Sequence, residues 1–289
     1  MDRYDIVFIG QIGMAEIVPF EGSPFLLQNC SPLVFCATAA SRLGKRIAAV
    51  TRISETDEYL LEPLRAAHID LYVQPGEAFQ FQTVFPTANV DIRQSFIIRR
   101  GSRINDMPAF EPCLVHLSWM GIREFELDFI RSLKARGFRL SVDMQSFMLQ
   151  ADQETGPVHL KDVPEKKEIL SMADFVKIDA LEAQILTGSD NLQDQIDMLE
   201  VWGSSETIIT SSEGVLVLSN GKTTFAKFTN KSTQGRMGRG DTFMGSYLTC
   251  RLDHSIEDSL RFAAALTSIK MESPGPFMGT IEDVVERMD

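Results

Sequence analysis

Short apolar runs alternate with longer amphipathic ones along this chain. Ile6 to Ile9, Ile47 to Val50, Leu114 to Leu117, Leu140 to Val142, Phe175 to Ile178 and Ile208 to Thr210 are β-branched or apolar in character. They lack the strict polar alternation of a strand with one wet face, so they predict strands buried on both sides. Between them, apolar residues recur at helical spacing. Phe125, Phe129, Ile130 and Leu133 share one face of a helix predicted over Glu124 to Arg136, and Gln193 to Val201 has the same period. Strand and helix in turn predict an α/β fold, with a mainly parallel central sheet flanked by helices.

Three stretches break the rhythm. Leu71 to Ile98 places Pro75, Gly76 and Pro86 among alternating segments, Thr83 to Phe85 and Ser95 to Ile98, which predicts a small β excursion from the main sheet. Val215 to Leu218 and Thr223 to Phe225 flank Asn220-Gly221, predicting a β-hairpin over 215–228. Gly156 to Glu165, with Pro157 and Pro164, reads as a polar loop.

Composition narrows the class. The chain has 289 residues, and 28 Lys and Arg against 40 Asp and Glu leave a formal charge of -12, a poor match for a nucleic-acid binder. Hydrophobic residues at 44% and charged residues at 24% suit a globular protein with a sizeable core, here one large α/β unit. Cys30, Cys36, Cys113 and Cys250 show no CxxC spacing, and three of them sit among apolar or small neighbours like buried thiols, which predicts a reducing compartment. The first ten residues lack the basic stretch and long apolar core of a signal peptide, and no segment is long enough to span a bilayer. A cytoplasmic protein without membrane or nucleic-acid partners is expected.

Several chemistries lose their motifs. There is no GxxxxGK[ST] loop, no HExxH, no GxSxG and no GxGxxG after the first strand, which disfavours a Rossmann-type oxidoreductase. His68, His116, His159 and His254 are too scattered for metal-ligand spacing. The segment that stands out is Thr233 to Leu248, in which Gly235, Gly238 and Gly240 precede a helical run from about Asp241. A glycine-rich turn entering a helix points free N–H groups and the positive end of the helix dipole at one spot, which suits an anion. Asp241 would set a carboxylate beside that anion, ready to accept a proton from an attacking hydroxyl. The same residues also describe an ordinary helix start with Asp241 as N-cap. An Arg-Gly-Asp adhesion reading of 239–241 would need secretion, which nothing in the sequence favours.

Order and spacing add a resemblance. Gly238-Arg239-Gly240-Asp241-Thr242-Phe243-Met244-Gly245 is similar to the second half of the late signature of the ribokinase-like (PfkB) carbohydrate kinases, Asp-Thr-x-Gly-Ala-Gly-Asp and the helix after it. Val176 to Ala183 resembles the family's Asn-x-x-Glu segment, with Asp179 where Asn is usual and Glu182 retained. Ile208 to Gly214 resembles the strand and turn that cover the nucleotide, and Ser141 to Phe147 the Asp-x-Gln segment of inositol-kinase-like members.

The resemblance implies a ribokinase-like three-layer fold, a single domain over 1–289 with a small β lid drawn from 11–30 and 71–100, and a homodimer through that lid. It implies ATP and Mg²⁺ as cofactors and a small-molecule alcohol as acceptor. Asp241 would be the base, with the amides of Gly238, Arg239, Gly240 and Asp241 holding the transferred phosphate. Because a helix N-terminus favours a charged carboxylate, Asp241 is expected to orient the hydroxyl more than to attack its proton. Lys177, Asp179, Glu182, Thr210, Ser212, Gly214, Ala264 and Ser268 would meet the nucleotide, Glu182 also serving Mg²⁺ through water. Asp143, Gln145 and Arg236 would meet the acceptor.

The departures from the pattern are specific. Gly235, Arg236 and Arg239 stand where the signature has Asp, Thr and Ala, and Cys30, Ser31 and Phe35 stand where Gly-Gly-x-x-x-Asn grips sugar hydroxyls. Ala15 and Glu16 lie near the place of a substrate-binding Asp. Phe35 accepts no hydrogen bond, which argues against a typical sugar pocket. Arg236, Arg239, Arg99 and Arg100 could instead greet an acidic acceptor. A catalytically silent relative that binds a nucleotide or metabolite as a regulatory module is the competing reading.

Overall fold

The structure is a computed structural model, and it describes residues 1–28, 30–88, 93–118, 121, 125–151, 153 and 155–288. The strands are β1 Ile6–Ile9, β2 Gly13–Val18, β3 Phe25–Leu27, β4 Ile47–Ile53, β5 Asp70–Pro75, β6 Phe79–Val84, β7 Gln94–Arg99, β8 Leu114–Leu117, β9 Arg139–Asp143, β10 Leu149–Ala151, β11 Gly156–Leu160, β12 Phe175–Asp179, β13 Glu206–Thr210, β14 Gly214–Ser219 and β15 Lys222–Lys227. The helices are α1 Pro32–Ser41, α2 Glu62–Ala66, α3 Leu127–Ala135, α4 Gln145–Met148, α5 Lys166–Met172, α6 Ala180–Thr187, α7 Leu192–Trp202, α8 Arg239–Cys250, α9 Ile256–Met271 and α10 Ile281–Met288.

A nine-stranded sheet runs β15-β14-β13-β12-β9-β8-β1-β4-β5. Every pairing from β13 to β5 is parallel, and β14 and β15 close one edge as an antiparallel hairpin. The apolar runs found in the sequence are the central strands of this sheet. Both of its faces are covered, one by α1, α8 and α9 around Phe8, Tyr247 and Leu260, the other by α3 and α5 around Val7, Ile130 and Val176. His116 of β8 lies inside, bonded to Ser141 Oγ at 2.9 Å. Burial, with help from the Lys177 charge, pushes its imidazole down to about 3 and keeps it neutral.

Capping explains where the helices begin and end. Ser31, followed by Pro32, accepts from the Val34 amide at the start of α1. Ser255 does the same for α9, and Asn191 for α7. Asp179 and Glu182 form a reciprocal capping box on α6, and Gly188 and Gly203 end α6 and α7 in the left-handed region.

Six further strands make a second sheet, β10-β11-β7-β6-β2-β3. Its composition departs from the sequence reading in two ways. Residues 71–75 belong to the main sheet, where β5 pairs parallel with β4 over six residues; the excursion begins only after Gly76. Gly156 to Leu160, expected as loop, is strand β11, because Pro157 sits opposite Phe96 at a two-residue contact with β7 and the rest of the segment pairs with β10. Proline is tolerated where so few ladder bonds are asked of it. Residues 29 and 89–92 of the expected lid segments, and 124 of the first expected helix, lie outside the described residues; α3 itself starts at Leu127. The hairpin turns through Asn220 at φ 50° and Gly221 at φ 69°, the pair of positive angles that makes Asn-Gly the preferred sequence there. All four cysteines are free thiols, and among the described residues no helix is long and apolar enough to cross a membrane.

Candidate active site

The carboxyl ends of β9, β12 and β13 meet the amino end of α8 at a cavity of about 1380 Å³, the place where open α/β sheets bind ligands. Inner residues of the second sheet, Ile17, Phe79, Phe81 and Ile97 among them, form its opposite wall.

The turn before α8 is the centre of the site. Gly238 is the N-cap of α8 in the left-handed region, φ 77°, and its carbonyl accepts the Thr242 amide at 2.8 Å. A side chain at 238 would be crowded as well as strained, since a Cβ there would lie 2.2 Å from Phe35 Cδ2 unless the ring moved. Phe35, a residue of α1, is therefore a buried wedge whose ring supports the turn from beneath, with its edge on the cavity. Gly240 brings the backbone close to Lys177: a Cβ would stand 3.1 Å from Lys177 Cε and 3.5 Å from its Nζ. The turn thus rests on an aromatic ring on one side and on an ammonium on the other.

Helix geometry leaves the first-turn amides without intrahelical acceptors, so those of Gly238, Gly240 and Asp241 suit an anion. The fourth amide of the expected cradle departs from that role. The Arg239 N–H donates to the Arg236 carbonyl at 3.2 Å, closing the turn.

Lys177 organises the charge. It lies on β12 in register with Asp143 on β9, so the two side chains project together and pair at 3.0 Å, both almost wholly buried. Burial alone would lower the lysine's pKa; attraction by Asp143, then Glu182, Asp241 and Asp179, outweighs it and raises the net value. One ammonium thus stands among four carboxyl groups. Asp143 spends both oxygens inside the protein, Oδ2 on Lys177 and Oδ1 on the Gln145 amide at 3.0 Å. It stays off the cavity wall, whereas Gln145 lies on it.

Asp241 faces the cavity from the first turn of α8. Its carboxyl is pushed up to about 6, because burial outweighs the pull of Lys177; Asp143 adds to the rise, and Lys270 and its own backbone amide oppose it. The expected effect of the helix N-terminus is present but loses to desolvation. The result is a carboxylate poised as a base near neutral pH.

The other expected residues divide. Lys177, Asp179, Thr210, Ser212, Gln145, Arg236, Arg239 and Gly240 line the cavity. Glu182 lies behind Asp179, wholly buried; its Oε2 caps α6 at 2.7 Å from the Asp179 amide, its Oε1 has no protein partner, and burial holds it up at about 8. Gly214, Ala264 and Ser268 are packed in the interior, off the cavity wall. A Cβ on Gly214 would meet the Ala226 carbonyl at 2.2 Å, and Ser268 Oγ is engaged by the Thr229 amide at 2.9 Å. Of the arginines, Arg99 pairs with Asp57 at 2.9 Å, and neither it nor Arg100 is on the cavity wall. Sequence reasoning missed Lys270, a buried lysine of α9 that lines the cavity and donates to the carbonyls of Gly235 and Met237. Its only signal was a lone charge in an otherwise apolar helical face.

Comparison with known proteins is consistent with this geometry. Residues 142–280 match the pfkB family carbohydrate kinases. A cytidine kinase of Thermococcus kodakarensis is 24% identical over 256 residues, 84% of this chain and 87% of its own. A ribokinase of Haemophilus influenzae is 25% identical over 259 residues, 83% of this chain and 79% of its own. Among solved structures, a pyrophosphate-dependent kinase in the ribokinase family, complexed with a pyrophosphate analog and myo-inositol, is 27% identical. It superposes with a TM-score of 0.87 over 97% of this chain and 99% of that one.

Proposed function

We propose, from the match of residues 142–280 to the pfkB family carbohydrate kinases and from the ribokinase-like α/β fold of the chain, that this chain transfers a phosphoryl group to a hydroxyl of a small molecule. The observation that carries the reading is the turn at Gly238 to Gly240, open to the cavity, with the raised Asp241 carboxyl and the Lys177 ammonium beside it. The acceptor hydroxyl gives its proton to Asp241 as its oxygen forms a bond to the donor's terminal phosphorus. The bond from that phosphorus to the bridging oxygen breaks, and the leaving phosphate keeps the electron pair. The amides of Gly238, Gly240 and Asp241, with Lys177, stabilise the charge on the transferred group. Asp179, on the cavity wall, would hold an ion through water, and the orphan Oε1 of Glu182 behind it would join once that carboxyl gives up its proton. Mg²⁺ bound there would neutralise donor oxygens.

Two features favour pyrophosphate over ATP as the donor. Three positions expected beside a nucleotide, Gly214, Ala264 and Ser268, are interior, while four cationic side chains, Lys177, Arg236, Arg239 and Lys270, line the turn's end of the cavity. Dense positive charge suits a short polyphosphate. The pyrophosphate-dependent relative points the same way. ATP is the second reading, favoured by the Ser211–Ser212 turn and Pro274–Gly275, which also border the cavity and leave room for an adenosine. Aromatic rings and Gln145 also line the cavity, an arrangement suited to a ring-shaped alcohol whose C–H face stacks on phenylalanine while one edge offers hydroxyls. Initial rates with pyrophosphate and with ATP, each with Mg²⁺, against inositols, sugars and nucleosides test this. Faster transfer from pyrophosphate to a cyclic alcohol is expected. Transfer from ATP alone would overturn the donor assignment, and donor binding without any transfer would favour the silent, regulatory relative.

A further inference from the structure

Lys270 sits at the carboxyl end of α9, 3% exposed, and has no ion pair with a carboxylate among the described residues. Its ammonium donates to the carbonyls of Gly235 and Met237 and lies 4.6 Å from the centre of the Phe35 ring. The Gly235 amide in turn donates to the Met271 carbonyl at 2.8 Å, so the segment before the anion turn is laced to the end of α9. This close docking explains the glycine at 235: a Cβ there would stand 1.9 Å from the Ser273 carbonyl and 2.6 Å from that of Lys270. An aspartate in that place would not fit.

The consequence for the turn follows from peptide geometry. The Met237 carbonyl and the Gly238 N–H belong to one planar trans unit and point in opposite directions. Holding that carbonyl on the ammonium forces the Gly238 N–H to the other side. Two carbonyls drawn together would repel unless a cation lay between them. Phe35 supports the arrangement, its ring facing the ammonium and filling the space that a Cβ on Gly238 would take.

We propose that Lys270 is a positioning residue, an internal cation whose clamp on the Gly235 and Met237 carbonyls sets the anion turn in its ligand-binding form. The clamp rests on the phosphotransferase reading for its purpose but not for its existence. The facing groups are consistent with this: Asp241 is the carboxylate that acts on Lys270, and burial leaves the ammonium lowered to about 8 but still largely charged near neutrality.

Lys270→Met, of similar length, and Lys270→Ala, which leaves space for an ion, separate clamp from packing. Hydrogen exchange of the amides in 233–241 is the first readout, since it needs no ligand. Exchange at least about tenfold faster in Lys270→Met, with the protection of β12 and β13 unchanged, is expected. Unchanged exchange in 233–241 overturns the clamp. The second readout is pyrophosphate affinity by calorimetry in Lys270→Ala, with and without about 100 mM ammonium or potassium chloride. A loss of about thirtyfold, at least a third of it restored by either cation and none by sodium-free choline chloride, is expected. A loss that no small cation repairs means a merely structural lysine. If wild-type protein binds no pyrophosphate or ATP, the phosphotransferase reading fails, while hydrogen exchange still decides the clamp.

Discussion

Replacing Asp241 by asparagine should make the protein more stable while it removes the proposed base. Burial lifts this carboxyl from 3.8 in an unfolded chain to about 6 in the native one. The native state therefore holds the proton more tightly, and ionisation costs stability as pH rises through the interval between the two values. At about 1.36 kcal/mol per unit, the cost reaches about 3 kcal/mol above pH 7. It falls to about 1 kcal/mol at pH 4.5, where the unfolded carboxyl is mostly ionised and the native one is not. Asparagine, neutral and of equal size, bears no such cost. Urea unfolding of both proteins at pH 8 and pH 4.5 measures it. The variant should gain about 3 kcal/mol at the higher pH and about 1 kcal/mol at the lower. A variant no more stable than wild type at pH 8, or a gain that does not shrink on acidification, would refute the claim that desolvation outweighs Lys177 at this carboxyl.

Other perturbations bear on the scaffold of the site. Lys177→Met leaves Asp143 buried without its ion partner and should cost about 3–5 kcal/mol; adding Asp143→Asn should recover at least about 1 kcal/mol, so strictly additive urea midpoints would deny the pairing. Gly238→Ala adds a Cβ against Phe35 at a left-handed φ and should cost about 2–5 kcal/mol, from about 1–2 for the backbone and about 1–3 for overpacking. The Tm measures it, and a change within the error of the wild-type value would contradict the close contact.

The parallel core was legible because its strands are apolar on both faces, as Ile6 to Ile9 and Ile47 to Val50 show. The hairpin was legible because Asn220-Gly221 admits few other geometries. Strand β11 was hidden by Pro157, whose usual meaning is overridden by pairing with residues some sixty positions earlier. The glycine turn and Asp241 could be found from local pattern, since both depend on neighbours in sequence. What the turn stands on could not. Phe35, Lys177 and Lys270 come from three distant segments, and only folding brings them to Gly238 and Gly240. The ionisation of Asp241 was misjudged for the same reason: a helix end is visible in sequence, while the depth of its burial is a tertiary property.

The account stands or falls on transfer of a phosphoryl group by way of Asp241. Single-turnover transfer from labelled pyrophosphate to a cyclic alcohol, in wild type and Asp241→Asn at equal donor occupancy, measures it directly. The account predicts a rate lower in the variant by about a thousandfold, with pyrophosphate affinity within about twofold of wild type. Transfer by the variant at the wild-type rate would contradict it.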